Sequence, residues 1–258
     1  MALSLGLGTG ALAGLPSDRC PRLSNCRRGR PPAHATREHL LIHKDYLTWY
    51  DDDLLVPLWV GYKLTKANII KQQDRIECFR PDPRLPADVT AFCTDYLEKT
   101  YDQGHLAPNA DFKGTEAMMI NTYLYSNMTP QHDTFNRYTW ERLESLVRMW
   151  VEKRGDLFVI TGSVFDQNGD QQRDADNAAQ RMAPSNHVAI PTHFYKIVMQ
   201  KKTFGANDTI AILLPRAVLQ LPPPPTVFRL LPSALWLFSF SAFPRVSFCV
   251  QMTPDDET

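Results

Sequence analysis

A histidine within a polar run is the feature of this chain that most directly suggests chemistry. The run is DQGHLAPNADF, residues 102–112, in which His105 directly follows Gly104. A neutral imidazole can accept a proton from water, and a bound divalent cation can neutralise a phosphate, which together serve phosphodiester hydrolysis. We therefore predict His105 as a general base oriented by Asp102. The alternative is a histidine with a purely structural role.

A second polar cluster follows and contains Asn127, Asn136 and Glu144. Asn136, Trp140 and Glu144 are spaced four apart, so in an α-helix Asn136 and Glu144 would project from nearly the same side. Mg²⁺ keeps several waters and needs few protein oxygen ligands. We therefore predict Asn136 as the ligand of Mg²⁺ or Mn²⁺. An N-cap role for Asn136 is the alternative.

The elements that must position these side chains are indicated by apolar periodicity and by capping residues. Thr115 is a candidate N-cap. The predicted helices span residues 114–124 and 136–153, and the predicted strands span residues 56–64, 156–163 and 209–214, with a strand pair over 187–199 around Pro191 and Thr192. A β-hairpin and a helix within residues 101–150 would then form the metal site.

Composition divides the chain into three parts. Residues 1–38 are rich in glycine, proline and arginine and are predicted to be disordered or processed. Residues 39–215 have the length and the mixture of predicted strands and helices expected of one α+β domain. Residues 216–258 form an atypical tail rich in proline and apolar residues, whose apolar run falls short of the roughly 20 residues of a membrane span. We predict no firm membrane interaction.

Charge and cysteine usage narrow the function classes. Lys+Arg and Asp+Glu both number 28, which argues against a histone-like binder but allows a local basic cleft. No cysteine pair has C-x-x-C spacing, so a structural zinc site is not expected. Cys78 and Cys93 bracket a proline-rich loop that a disulfide bond would staple, and two buried thiols are the alternative. The disulfide weakly favours a secreted protein, with a mitochondrial location as the alternative.

The segments DQGHLAPNADF, YLYSNMTPQ and FNRYTWERLE occur in this order. Together they resemble the DNA/RNA non-specific endonuclease family, over roughly residues 40–215. The resemblance implies an α+β, ββα-metal (His-Me finger) fold, with a central mostly antiparallel sheet flanked by helices. It also implies His105 as the base, Asn136 as the direct Mg²⁺ ligand, Asn127 as a supporting catalytic residue, and Glu144 as the holder of a metal-bound water.

One position departs from the pattern of that family. Gln103 stands where the family usually has arginine, so stabilisation of the charged transition state is expected to be weaker. Three nearby arginines are candidates for phosphate contacts: Arg75, Arg80 and Arg84.

A second candidate metal site lies in DQNGDQQRD, residues 166–174. Oxygen side chains recur at a spacing close to that of an EF-hand-like calcium loop: Asp166, Asn168, Asp170 and Asp174. The usual sixth-position glycine is replaced by Gln171. The alternative to a structural Ca²⁺ site is a solvated acidic turn.

The sequence thus predicts a metal-dependent endonuclease, a hydrolase that cleaves DNA and RNA and is a candidate homodimer. The chain is also similar to the C-terminal nuclease-like domain of ectonucleotide pyrophosphatase/phosphodiesterases, in which the active-site histidine is typically missing. A catalytically weak or inactive binding module of that kind is therefore the competing hypothesis.

Overall fold

The computed structural model describes residues 38–70, 75–202 and 207–216. Nearly all of the predicted domain over 39–215 lies within these ranges. The N-terminal segment and the proline-rich tail lie outside the described residues, apart from Glu38 and Arg216 at their borders.

The described chain contains eight strands and three α-helices. The strands are β1 (Glu38–Ile42), β2 (Tyr46–Asp51), β3 (Val56–Leu64), β4 (Tyr101–His105), β5 (Met128–His132), β6 (Leu157–Val164), β7 (His193–Gln200) and β8 (Asp208–Pro215). The helices are α1 (Lys66–Ile69), α2 (Glu116–Asn121) and α3 (Glu141–Arg154), and a π-helical segment, Phe135–Trp140, directly precedes α3. Six strands form one antiparallel sheet in the order β1-β2-β3-β6-β7-β8, and β4 pairs with β5 in a separate two-stranded sheet. The predicted α+β architecture with an antiparallel central sheet is confirmed.

Alternation along the strands decides which face of the six-stranded sheet is buried. On β3, Val60, Tyr62 and Leu64 are buried, whereas the intervening residues point to the opposite face. The buried side chains pack with Val147 and Val151 of α3 in one apolar cluster. The same cluster includes Leu106 and Ala107, so the residues that directly follow His105 are anchored in the core formed by the sheet and α3.

The structure confirms several predicted elements and corrects two. β3 has the predicted bounds, and Thr115 caps α2 by accepting a hydrogen bond from the Met118 amide at 3.2 Å. The predicted strand pair over residues 187–199 is wrong, because only His193–Gln200 is a strand. Pro191 has no N–H to donate to a ladder, which disfavours extension of the strand through it.

The second correction concerns the helix predicted over residues 136–153. Its first part is π-helical over Phe135–Trp140, and α-helical geometry begins at Glu141. The α-helical spacing used to align Asn136 with Glu144 therefore does not apply across this segment. Within the described ranges, no helix is both long and apolar enough to cross a membrane.

Candidate active site

The pairing of β4 with β5 fixes the position of His105. His105 pairs with Met128, and Gly104 pairs with Thr129. A Cβ atom at Gly104 would lie 2.2 Å from Cδ of Gln131. Only glycine therefore fits here without displacement of the buried Gln131 side chain, and this explains the glycine before the histidine.

The imidazole of His105 lies among aromatic rings. Its centroid is 4.9 Å from that of Tyr123 and 6.0 Å from that of Phe79. Nε2 is buried and has no hydrogen-bond partner among the described residues. Burial, together with the positive charge of Arg75, lowers the pKa of His105 to about 3. The ring is therefore neutral at physiological pH, which is the form that accepts a proton.

Asp102 does not orient His105, contrary to the sequence-based prediction. Its Oδ2 accepts hydrogen bonds from Nδ2 of Asn136 and Nε of Arg137, both at 2.9 Å, and its Oδ1 accepts one from Nη2 of Arg137 at 2.6 Å. Burial alone would raise the pKa of Asp102, but the hydrogen bonds from Arg137 and Asn136 lower it overall. Asp102 is therefore an ionised acceptor that holds the Asn136 amide.

Asn136 lies inside the π-helical segment, so the alternative N-cap role is wrong. Because its Nδ2 donates to Asp102, the orientation of the amide is set and Oδ1 points elsewhere. Oδ1 has no hydrogen-bond donor in the part of the chain that the structure describes. A fixed amide oxygen without a donor matches the oxygen chemistry of Mg²⁺, which takes few protein ligands and keeps its waters.

Asn127 has a supporting role in the geometry. It is fully buried, and its Oδ1 accepts a hydrogen bond from the Ala107 amide at 2.9 Å. Its Nδ2 donates to the carbonyl oxygens of Ala107 and Thr122. These bonds use both amide hydrogens, so Asn127 fixes the chain that follows His105 and offers no donor to a substrate.

Glu144 lies in the first turn of α3 and is partly buried. It makes no hydrogen bond with a described residue. Burial raises the pKa of its carboxyl to about 8, against the opposing charge of the buried Lys196. A carboxyl group without a protein donor is suited to accept hydrogen bonds from water.

Buried charged groups beneath Glu144 were missed by the sequence analysis. Asp111 accepts hydrogen bonds from Tyr62 at 2.8 Å and from Arg148 at 3.0 Å. Lys196, 1 % exposed, donates to Thr161 at 2.7 Å and lies 4.8 Å from the centroid of the Trp140 ring. The lysine within the apolar segment HFYKIVM could have predicted a buried polar partner, because lysines are rarely buried unpaired.

The three candidate arginines have different roles. Arg80 donates to the carbonyl oxygens of Cys78 and Ile120 and to the Asn121 side chain, so its guanidinium is committed to the fold. Arg84 contacts His43 and Asp82. Arg75 remains 59 % exposed and is the one whose charge acts on His105.

The structure does not gather the predicted calcium ligands into a cage. Both carboxylate oxygens of Asp166 accept backbone N–H groups of the loop, from Gly169 and Gln171. The side chains of Asn168, Asp170 and Asp174 likewise accept loop N–H groups. Within residues 38–70, 75–202 and 207–216, no group of three His, Cys, Asp or Glu side chains is arranged to hold a metal ion. The geometry is that of a self-bonded polar turn, and the calcium site stays a prediction.

Comparison with known proteins points to one family. Residues 31–233 match the model of the DNA/RNA non-specific endonuclease family. The chain is 32% identical over 172 residues to a mitochondrial nuclease EXOG of Danio rerio, with 66% of this chain and 49% of that protein covered. Nuclease C1 of Cunninghamella echinulata var. echinulata is 30% identical over 199 residues, which cover 75% of this chain and 78% of that protein.

A solved structure of the EndoG/EndoGI complex, described as showing the mechanism of EndoG inhibition, is also similar. Its TM-score is 0.64 at 29% sequence identity, with 72% of this chain and 78% of that chain covered. The chain spans about half the length of the Danio rerio and Homo sapiens EXOG proteins that it matches, 49% and 50%.

Proposed function

The chain belongs to the DNA/RNA non-specific endonuclease family, and from this premise we propose that it is a Mg²⁺-dependent endonuclease that hydrolyses phosphodiester bonds of DNA and RNA. One observation supports the proposal most. The two-stranded sheet carries a neutral His105 whose Nε2 has no partner among the described residues, and the segment that follows this sheet carries Asn136, whose amide is fixed by Asp102. These supply the base and the oxygen ligand that hydrolysis needs.

In the proposed reaction His105 accepts a proton from the water that attacks phosphorus. Asn136 would hold Mg²⁺, or Mn²⁺, through Oδ1, and Glu144 would accept hydrogen bonds from water next to it. When bound, the cation supplies charge stabilisation to the phosphate and the leaving oxygen. Asn127 keeps residues 106 and 107 in place, so it acts as a positioning residue for His105.

Incubation of the full chain with supercoiled plasmid and with single-stranded RNA, each with Mg²⁺ or with EDTA, tests the proposal. We expect nicked and linear DNA and shortened RNA with Mg²⁺, and intact substrates with EDTA. A folded protein that leaves both substrates intact at every Mg²⁺ and Mn²⁺ concentration would favour the binding-module alternative.

Substrate selection and location follow from the same proposal. Contacts to the phosphate backbone carry no base information, so cleavage without sequence preference is expected. The EXOG and endonuclease G relatives are named as mitochondrial proteins, and we propose a mitochondrial location in preference to secretion. Homodimerisation remains part of the proposal, to be measured by light scattering of the purified chain.

Gln103 is expected to limit the rate. Its Oε1 is buried without a hydrogen-bond partner among the described residues, so replacement breaks no such bond. An arginine there can add a charge-assisted hydrogen bond to phosphate, worth about 1.5–3 kcal/mol. We therefore expect Gln103→Arg to raise kcat on plasmid about tenfold or more, since 1.4 kcal/mol is about tenfold. Gln172→Arg, in the exposed loop, is the control and should leave kcat unchanged, and an unaltered kcat in Gln103→Arg would remove Gln103 as the cause of slow turnover.

We further propose that Cys78 and Cys93 form a disulfide bond. Both side chains are buried, at 4 % and 6 % exposure, and the two cysteines bracket a proline-rich loop. A loop of about 15 residues closed by a disulfide gains about 3 kcal/mol. Cys93→Ser is therefore expected to lower the free energy of urea unfolding by about that amount. The loss should vanish when both proteins are measured in reducing agent, and a difference that persists would indicate packing of the thiol instead.

A further inference from the structure

Arg137 lies next to Asn136 in the π-helical segment, and its side chain is 60 % exposed. One edge of its guanidinium is fixed by the two hydrogen bonds to Asp102. The Asp102 oxygen that accepts from Nε also accepts from the Asn136 amide. The guanidinium is thus held beside the side chain proposed to bind the metal.

The opposite edge of this guanidinium is open. An arginine side chain carries five N–H donors, and the bonds to Asp102 use only Nε and one hydrogen of Nη2. Nη1 has no acceptor among the described residues. A planar donor fork that is fixed on one side and exposed on the other is well suited to phosphate, because less side-chain freedom is lost on binding.

Two other cations near Asn136 and Glu144, Arg148 and Lys196, are less available. Arg148 is 19 % exposed and is engaged by Asp111 and Ser145. Lys196 is 1 % exposed. Gln103, on β4 next to Asp102, carries no charge.

We propose that Arg137 binds a backbone phosphate of the nucleic-acid substrate and supplies at this site the positive charge that Gln103 does not. This inference rests on the proposed nuclease function and adds a phosphate-binding residue to it. Asp102 then has two functions: it orients Asn136, and it fixes the guanidinium that faces the substrate.

Binding without cleavage isolates this contact. Fluorescence anisotropy of a labelled double-stranded DNA oligonucleotide is measured with the full chain in EDTA, over a series of NaCl concentrations, with a gel to show that the DNA stays intact. Each phosphate neutralised contributes about 0.9 to the slope of log K against log salt. We expect Arg137→Ala to weaken binding several-fold and to reduce the slope by about 0.9. Arg137→Lys should keep the slope, and the exposed Arg142→Ala should match wild type.

Mg²⁺-dependent kinetics provide the second measurement. We expect Arg137→Ala to raise KM for plasmid more than it lowers kcat, because the contact is made to bound substrate. An unchanged salt slope in Arg137→Ala overturns the phosphate contact, even where kcat falls through disorder of Asn136. If wild type cleaves DNA and its salt slope equals that of Arg137→Ala, only the Arg137 contact is rejected. If wild type neither cleaves nor binds DNA, the proposed function is rejected as well.

Discussion

His105→Ala is expected to lower kcat for plasmid cleavage about 10²–10⁴-fold, the usual contribution of a general base. Its buried Nε2 has no hydrogen-bond partner among the described residues and the ring is neutral, so no described protein group occupies the nitrogen proposed to accept the proton. Initial rates at saturating Mg²⁺ measure the loss. Mg²⁺ affinity, followed by calorimetry, should stay close to wild type, because the metal is proposed to bind Asn136.

His132→Ala is the matched control. His132 lies on β5 and pairs with Tyr101, at the opposite end of the same two-stranded sheet from His105. Its loss should leave kcat within a few-fold of wild type. Equal rates for wild type and His105→Ala would remove the proposed base, and a folded His132→Ala with the larger defect would transfer that role to His132.

The pH dependence follows from the burial of His105. Because burial and Arg75 lower its pKa from 6.5 to about 3, the imidazole stays neutral well below pH 6.5. On the acid side of the pH profile, kcat/KM of wild type should therefore fall at a lower pH than it would with an ordinary histidine as the base. The free energy of unfolding depends on pH in the same direction. Because the pKa of His105 is lower in the folded than in the unfolded state, its contribution to stability is complete above about pH 6.5 and decreases as the pH falls towards 3.

Strand and helix prediction worked where the pattern is local. The alternation from Val56 to Leu64 is enough to predict β3 with its observed bounds. The same reasoning failed for residues 187–192, which include Val188 and Ile190 but form no strand. There Val188 and Ile190 are buried in the core, and the Ile190 amide donates to the Gln180 carbonyl at 2.7 Å. That partner is set by the tertiary fold and leaves no periodic signal.

In the candidate active site too, local sequence patterns were not enough to predict contacts between residues far apart in the chain. The sequence-based prediction that Asp102 orients His105 was wrong, because the two residues lie three apart on β4 and strand alternation places them on opposite faces. The actual partners of Asp102, Asn136 and Arg137, lie on a segment 34 and 35 positions away. The π-helical turn that presents them has no sequence signature comparable to a capping box. Residue types therefore suggested Asn136 as a candidate ligand, whereas the orientation of its amide is set by the three-dimensional fold.

Asn136→Ala is expected to weaken Mg²⁺ binding by more than the about 10–100-fold that loss of an outer-shell partner typically costs. The alanine removes the amide oxygen that Asp102 fixes in position. Calorimetric titration with Mg²⁺ in the absence of DNA measures the change independently of cleavage. Asn177→Ala, at an exposed amide outside both candidate metal sites, should bind Mg²⁺ as wild type does.

Asp102→Asn separates the orientation of the Asn136 amide from its direct binding of Mg²⁺. It leaves Asn136 intact but removes the negative charge that accepts from its Nδ2. Mg²⁺ affinity should then fall by about 10–100-fold, as for an outer-shell partner, and therefore by less than in Asn136→Ala. Wild-type affinity in Asn136→Ala would exclude this residue as the ligand. An equal loss in both variants would mean instead that the Asp102 carboxylate binds the metal itself.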